Sequence, residues 1–106
     1  MELHQKGKYD LALSYFNKVI ELSPHNAKAY FNKGFTYFRL KEYDKAISDY
    51  NRAIEIDPKY ANAYSHRGRT YALKGELEKA CSDVNTDCKF GQCYGLDWAK
   101  EKSFCK

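Results

Sequence analysis

Residues 27–60, AKAYFNKGFTYFRLKEYDKAISDYNRAIEIDPKY, decide the architecture of this chain, because the flanking sequence repeats them in part or in modified form. Displacing the sequence against itself by 34 residues places Tyr30 on Tyr64, Gly34 on Gly68, Thr36 on Thr70 and Tyr37 on Tyr71. The same step aligns Ala12, Ala46 and Ala80, then Ser14, Ser48 and Ser82, and Asn17, Asn51 and Asn85, while Pro24 falls on Pro58. A fixed period of this length marks an array in which each unit buries its apolar face on its neighbour. Inside the unit, Tyr30, Tyr37, Ile47, Tyr50 and Ile54 recur at three, four and seven, the stripe of amphipathic helices. Gly34 and Gly68 fall mid-helix, where glycine costs about 1 kcal/mol relative to alanine. Small residues there, and at Ala46 and Ala80, suit helices that cross closely. Asp57-Pro58 ends the second helix, since a residue before proline is pushed out of the helical region.

The period and the residues on it resemble the tetratricopeptide repeat family, whose unit is two antiparallel helices. The family's first helix carries an aromatic, a glycine and an aromatic, here Tyr30, Gly34 and Tyr37. Its second carries Ala46, Tyr50 and Ala53, and Pro58 closes the unit. The resemblance implies an all-α fold: antiparallel helix-turn-helix repeats stacked as a right-handed α-solenoid, with a C-terminal capping helix. Residues 1–106 form a single array in this reading. Residues 1–26 are a partial first repeat, mainly its second helix from Lys8 to Leu22, with at most a last turn of the first at 2–5. Complete repeats span 27–60 (helices 27–39 and 43–56) and 61–94 (helices 61–73 and 77–89), and 95–106 is the cap. Trp98 lies 34 residues after Tyr64, so the cap is expected to keep register, with Lys100, Glu101 and Lys102 facing solvent. The sequence is expected to begin inside a repeat. Unless residues 1–7 fold back as a lid, Ala12, Phe16 and Val19 should then lie open to water. Burying one large apolar side chain is worth ~1.5–3 kcal/mol, so this face predicts a homo-oligomer, formed directly or by exchanging elements between copies.

Composition narrows the function classes. At 106 residues this is one domain, with 10 tyrosines and an aromatic fraction of 16%, suited to helices packed through amphipathic rings. The net charge of +4 is spread among interspersed acids and bases, a solvated surface rather than a nucleic-acid stripe, so no nucleic-acid partner is expected. No apolar run approaches the ~20 residues of a membrane span, and MELHQKGKYD has no signal-peptide core. Phosphate-binding loops and paired metal-binding histidines are missing, and His4, His25 and His66 fall in different units. No enzyme activity, cofactor or metal site is expected.

In the family, first helices line a concave surface against which peptides lie. By register the groove-facing places are Lys28, Phe31, Asn32, Phe35, Phe38 and Arg39, then Asn62, Ser65, His66, Arg69 and Leu73. Phe31, Phe35 and Phe38 share a helix face distinct from that of Tyr30 and Tyr37. Phe31 and Phe38 could equally pack against the neighbouring first helices, whereas Phe35 is expected to contribute to an exposed patch of the kind that marks binding sites. Arginine beside such a patch grips a carboxylate bidentately, and asparagine pairs with peptide backbone. The expected function is therefore a non-catalytic scaffold holding a protein or peptide segment, acidic or with a free carboxylate. Some family members clamp the carboxy-terminal carboxylate of chaperones with lysine and asparagine. Asn32 matches one clamp place, but Asn62 and His66 stand where the clamp has lysine and arginine, so a chaperone clamp is not expected.

Four cysteines close the chain: Cys81, Cys88, Cys93 and Cys105. They could be small buried apolar groups, or paired. Cys81 and Cys88 lie seven apart on one helix, roughly 10 Å by helical rise, beyond the ~7 Å a disulfide spans. Two connectivities remain. A cap antiparallel to the preceding helix favours Cys81 with Cys105 and Cys88 with Cys93. Bridges imply an oxidising compartment such as the periplasm; free thiols would leave the cytoplasm. The alternatives to a binding scaffold are a redox or metal module at this end and a self-assembling structural array.

Overall fold

Three helices stop on a residue with left-handed backbone, and those stops set the chain's geometry. The computed structural model describes residues 3–102 and Cys105. Its helices are α1 (Leu3–Leu22), α2 (Ala27–Arg39), α3 (Tyr43–Ile56), α4 (Ala61–Leu73), α5 (Leu77–Lys89) and α6 (Tyr94–Glu101), with no strand among the described residues. Lys41, Gly75 and Gly91 have φ of 63°, 83° and 98°. Behind each, an amide reaches back five residues: Glu42 to the Tyr37 carbonyl (2.9 Å), Glu76 to Tyr71 (2.9 Å) and Gln92 to Asp87 (3.2 Å). This closure satisfies carbonyls that a helix end leaves bare. After α3 the turn differs, with Lys59 donating to the Asp57 carboxylate (3.1 Å) after the helix has stopped before Pro58. Asn26 opens α2, its side chain accepting from the Ala29 amide at 3.0 Å.

The result is an all-α helical repeat solenoid. Hairpins α2–α3 and α4–α5 pack closely, with α1 on α2, α3 on α4 and α5 on α6. The core is alanine and rings: Ala46, Tyr50, Ala53, Ala63 and Ala80 are fully buried. A Cβ at Gly34 would stand 2.8 and 2.9 Å from Tyr50 ring carbons, and one at Gly68 3.0 Å from the Asp83 Cβ. The glycines are thus what lets each hairpin close. A polar pair repeats with the period: Lys33 lies 3.7 Å from Asp49, and Arg67 grips Asp83 through two bonds of 2.7 and 2.8 Å. Arg67 also donates to Asn51 (2.8 Å), tying α4 to α3 as well as α5.

Three expectations need correction. First, α1 begins at Leu3, not Lys8, and no turn interrupts it. Gly7 occupies the place of Lys41 and Gly75 but has no left-handed φ. Helical hydrogen bonding therefore continues through Gly7.

Second, Ala12, Phe16 and Val19 are not the open row, because all three are half-buried against α2. The open row is Leu11 (73% exposed), Tyr15 (65%) and Leu22 (76%). Leu11 and Tyr15 stand where the next repeat has Lys45 and Asp49.

Third, α6 starts within one residue of the period but is rolled about its axis. Gly95 and Ala99 are buried, whereas Asp97, the counterpart of buried Ala29 and Ala63, is exposed. Two residues' displacement is roughly half a helical turn. The roll puts the smallest side chains of α6 against α5, with Gly95 closing on Val84. Trp98 and Leu96 pack on the Val84–Ala99–Cys105 cluster, and Lys100, Glu101 and Lys102 are exposed. Phe104 lies outside the described residues.

Candidate peptide-binding surface

His66 sits at the centre of the aromatic residues expected to form a groove. The Phe31 ring meets it edge-on at 5.1 Å and the Phe35 ring at 5.5 Å, with Tyr50 6.3 Å away. Phe31 also packs on Tyr50 (5.7 Å) and Tyr60 (5.2 Å), so it seals α2 onto the next unit. Phe35 stacks on Phe38 at 6.1 Å, and Phe38 continues to Tyr43. Phe31 and Phe38 are half-buried, while Phe35 remains 38% exposed. Phe31 packs against Tyr50, Tyr60 and His66 together, whereas Phe35 meets Phe38 and the edge of His66 and keeps part of its ring in solvent.

The Asn62 carbonyl lies 2.9 Å from Nδ1 of His66, and a carbonyl only accepts, so Nδ1 carries the proton. Burial lowers the pKa of His66 below its ordinary 6.5 against the bond to the Asn62 carbonyl, which raises it, and the nearby Arg69 charge adds to the lowering. At neutral pH the ring is uncharged, with Nε2 as an acceptor. It is therefore a packing and hydrogen-bonding residue, not a cation.

The charged candidates surround this cluster. Lys28, Arg39 and Arg69 are exposed, and none makes an ion pair among the described residues. Arg39 donates through Nε to the Tyr9 hydroxyl at 3.3 Å. Asn32 is half-buried and borders two hollows along the α1–α2 seam. One, of about 400 Å³, is walled by Tyr9, Ala12, Phe16, Phe35, Thr36 and Arg39. The other, of about 200 Å³, adds Tyr15, Val19, Asn26, Lys28 and Ala29. A larger hollow of about 500 Å³ lies apart, at the turn before α3, where Lys45 and Glu42 already pair. Asn62 and Leu73 are exposed.

Ser65 does not join this surface. It is half-buried, bonds the Asp87 carboxyl on α5 and lies 3.7 Å from the Cβ that Gly95 lacks. As the counterpart of Phe31, it packs on the unit that follows. Tyr9 was missed from the sequence because α1 was expected to expose its inner row, which instead forms the wall opposite Phe35. At the far end the structure joins Cys81 to Cys105 and Cys88 to Cys93.

Family models of the tetratricopeptide repeat match residues 27–60 and 49–82, and a TPR-repeat model matches residues 2–41. No curated protein sequence matches the chain significantly. Among solved structures it is similar to the first TPR of Spaghetti (RPAP3) bound to the HSP90 peptide SRMEEVD, with 29% identity, TM-score 0.85, and 94% of this chain and 81% of that one covered. The second TPR domain of human RPAP3 with the HSP70 peptide SGPTIEEVD is similar at 25% identity, TM-score 0.81, covering 92% and 83%. The Arabidopsis OM64 TPR domain shares the fold at 22% identity and TM-score 0.85, covering 93% and 83%.

Proposed function

We propose that this chain, which belongs to the tetratricopeptide repeat family, is a non-catalytic binding module that holds an extended acidic segment of a partner protein against α2 and α4. The observation that carries this reading is Phe35, a large ring left 38% exposed inside an aromatic cluster, with Arg39 and Arg69 making no ion pair among the described residues. Exposed aromatic patches rimmed by polar groups mark interaction sites. The RPAP3 domains, which are similar in fold and at 25–29% identity, are solved with peptides ending in EEVD, which supports an acidic ligand. The carboxylate clamp does not carry over with them. Asn62 and a neutral His66 occupy places where that clamp has cations.

The test is recovery of bound proteins with the wild type and with the double variant Phe35→Ala/Arg69→Ala. Both positions are exposed, so the fold should survive. Loss of the acidic partners is the expected result. An unchanged set of partners would remove the reading.

A second reading rests on Leu11, Tyr15 and Leu22, which form an apolar row on the outer side of α1. It has copies of the chain associate through that row. Light scattering that finds a strict monomer at high concentration would eliminate it. The paired cysteines support placement in an oxidising compartment such as the periplasm. Trapping of free thiols on all four cysteines in the isolated protein would count against that placement.

A further inference from the structure

The surface just described has a more specific ligand chemistry than acidity alone. We propose that the α1–α2 seam recognises an internal acidic segment, one whose large apolar side chain enters the hollow beside Phe35 while an adjacent carboxylate is held by Arg39 and Tyr9. The inference rests on the groove reading and narrows it.

Three observations carry it. The hollow of about 400 Å³ has apolar walls in Ala12, Phe16 and Phe35, with room for a leucine or phenylalanine side chain and little to offer a charged one. Arg39 and Tyr9 stand on its border as a prepared pair. Arg39 spends Nε on the Tyr9 oxygen, which leaves its terminal nitrogens and the Tyr9 hydroxyl proton able to donate to a ligand. No acid among the described residues pairs with Arg39, so its charge is open to a ligand carboxylate.

The seam also continues. Phe16 and Asn32 border both this hollow and the next, where Lys28 stands. A peptide laid along it meets a second cation beyond the anchor and runs on past the Arg39 site. A chain end is therefore not required, and a neutral His66 supplies no cation that would favour one.

Fluorescence anisotropy with defined peptides tests this. The probes are short N-acetylated, C-amidated peptides carrying leucine, phenylalanine or alanine between paired aspartates and glutamates, with SRMEEVD as the free-carboxylate comparison. The amidated leucine and phenylalanine peptides should bind. Alanine at the anchor should weaken binding about tenfold, as should Arg39→Gln, since each removes one anchor contact. Equal binding of the leucine and alanine peptides, or indifference to Arg39→Gln, overturns the inference. So does binding of SRMEEVD alone, although its loss in Phe35→Ala/Arg69→Ala would leave the groove reading standing. Failure of every peptide together with an unchanged set of recovered proteins overturns both.

Discussion

Lys41 holds the left-handed position that glycine takes at residues 75 and 91. A side chain there costs about 1–2 kcal/mol, so Lys41→Gly should raise stability, by about 0.5–1 kcal/mol after the extra freedom of the unfolded chain is counted. Urea denaturation measures it. Gly34→Ala should do the reverse, because the new Cβ meets Tyr50 below 3 Å; overpacking of this kind costs about 1–3 kcal/mol. Two acids give the pH dependence. Burial raises Asp87 from the ordinary 3.8 to about 6, against a bond from Ser65, and raises Asp49 to about 6 against the attraction of Lys33. A carboxyl that holds its proton more tightly when folded contributes stability below its unfolded pKa, and that contribution is lost as pH rises through about 6. Between pH 7 and 5 the wild type should therefore gain stability relative to Asp87→Asn. Equal slopes for the two proteins in denaturation at stepped pH would contradict the assignment.

The ends of the chain are where elements depart from their repeats. The bounds of α2, α3, α4 and α5 were legible from the 34-residue step, because each is fixed by local signals: Asn26, Asp57-Pro58, Lys74-Gly75. The roll of α6 was not legible, because side chains alone decide which face of a terminal helix is buried. In α6 it is Gly95 and Ala99 that turn inward. It is eight residues long, too short to be stable alone. The bridge from Cys88 to Cys93 ties its start and that from Cys81 to Cys105 its end. By the chain-entropy account, their separations of 5 and 24 residues are worth about 2 and 3.5 kcal/mol. Cys81→Ser/Cys105→Ser should accordingly lower the melting temperature more than Cys88→Ser/Cys93→Ser. The opposite order would mean that α6 is held from its first turn.

At the scale of the whole molecule, stacking joins side chains that are distant in sequence into one surface. Phe35 and His66 meet because α2 and α4 are neighbours, and Arg39 meets Tyr9 across 30 residues because α1 lies along α2. Register was enough to find the first pair, since both belong to first helices. It could not find the second, because the inner row of α1 was expected to lie open rather than along α2. Phe35 was expected to be less covered than Phe31, and it is the Phe31 ring that Tyr60 and Tyr50 of the neighbouring elements cover. The most direct test is amide chemical-shift mapping as an amidated acidic peptide with a central leucine is titrated into the protein. The account predicts shifts concentrated on α2, α4 and the inner row of α1, around Tyr9, Asn32, Phe35 and Arg39. Shifts confined to the outer row of α1, at Leu11, Tyr15 and Leu22, or to the convex residues of α3 and α5, would contradict it.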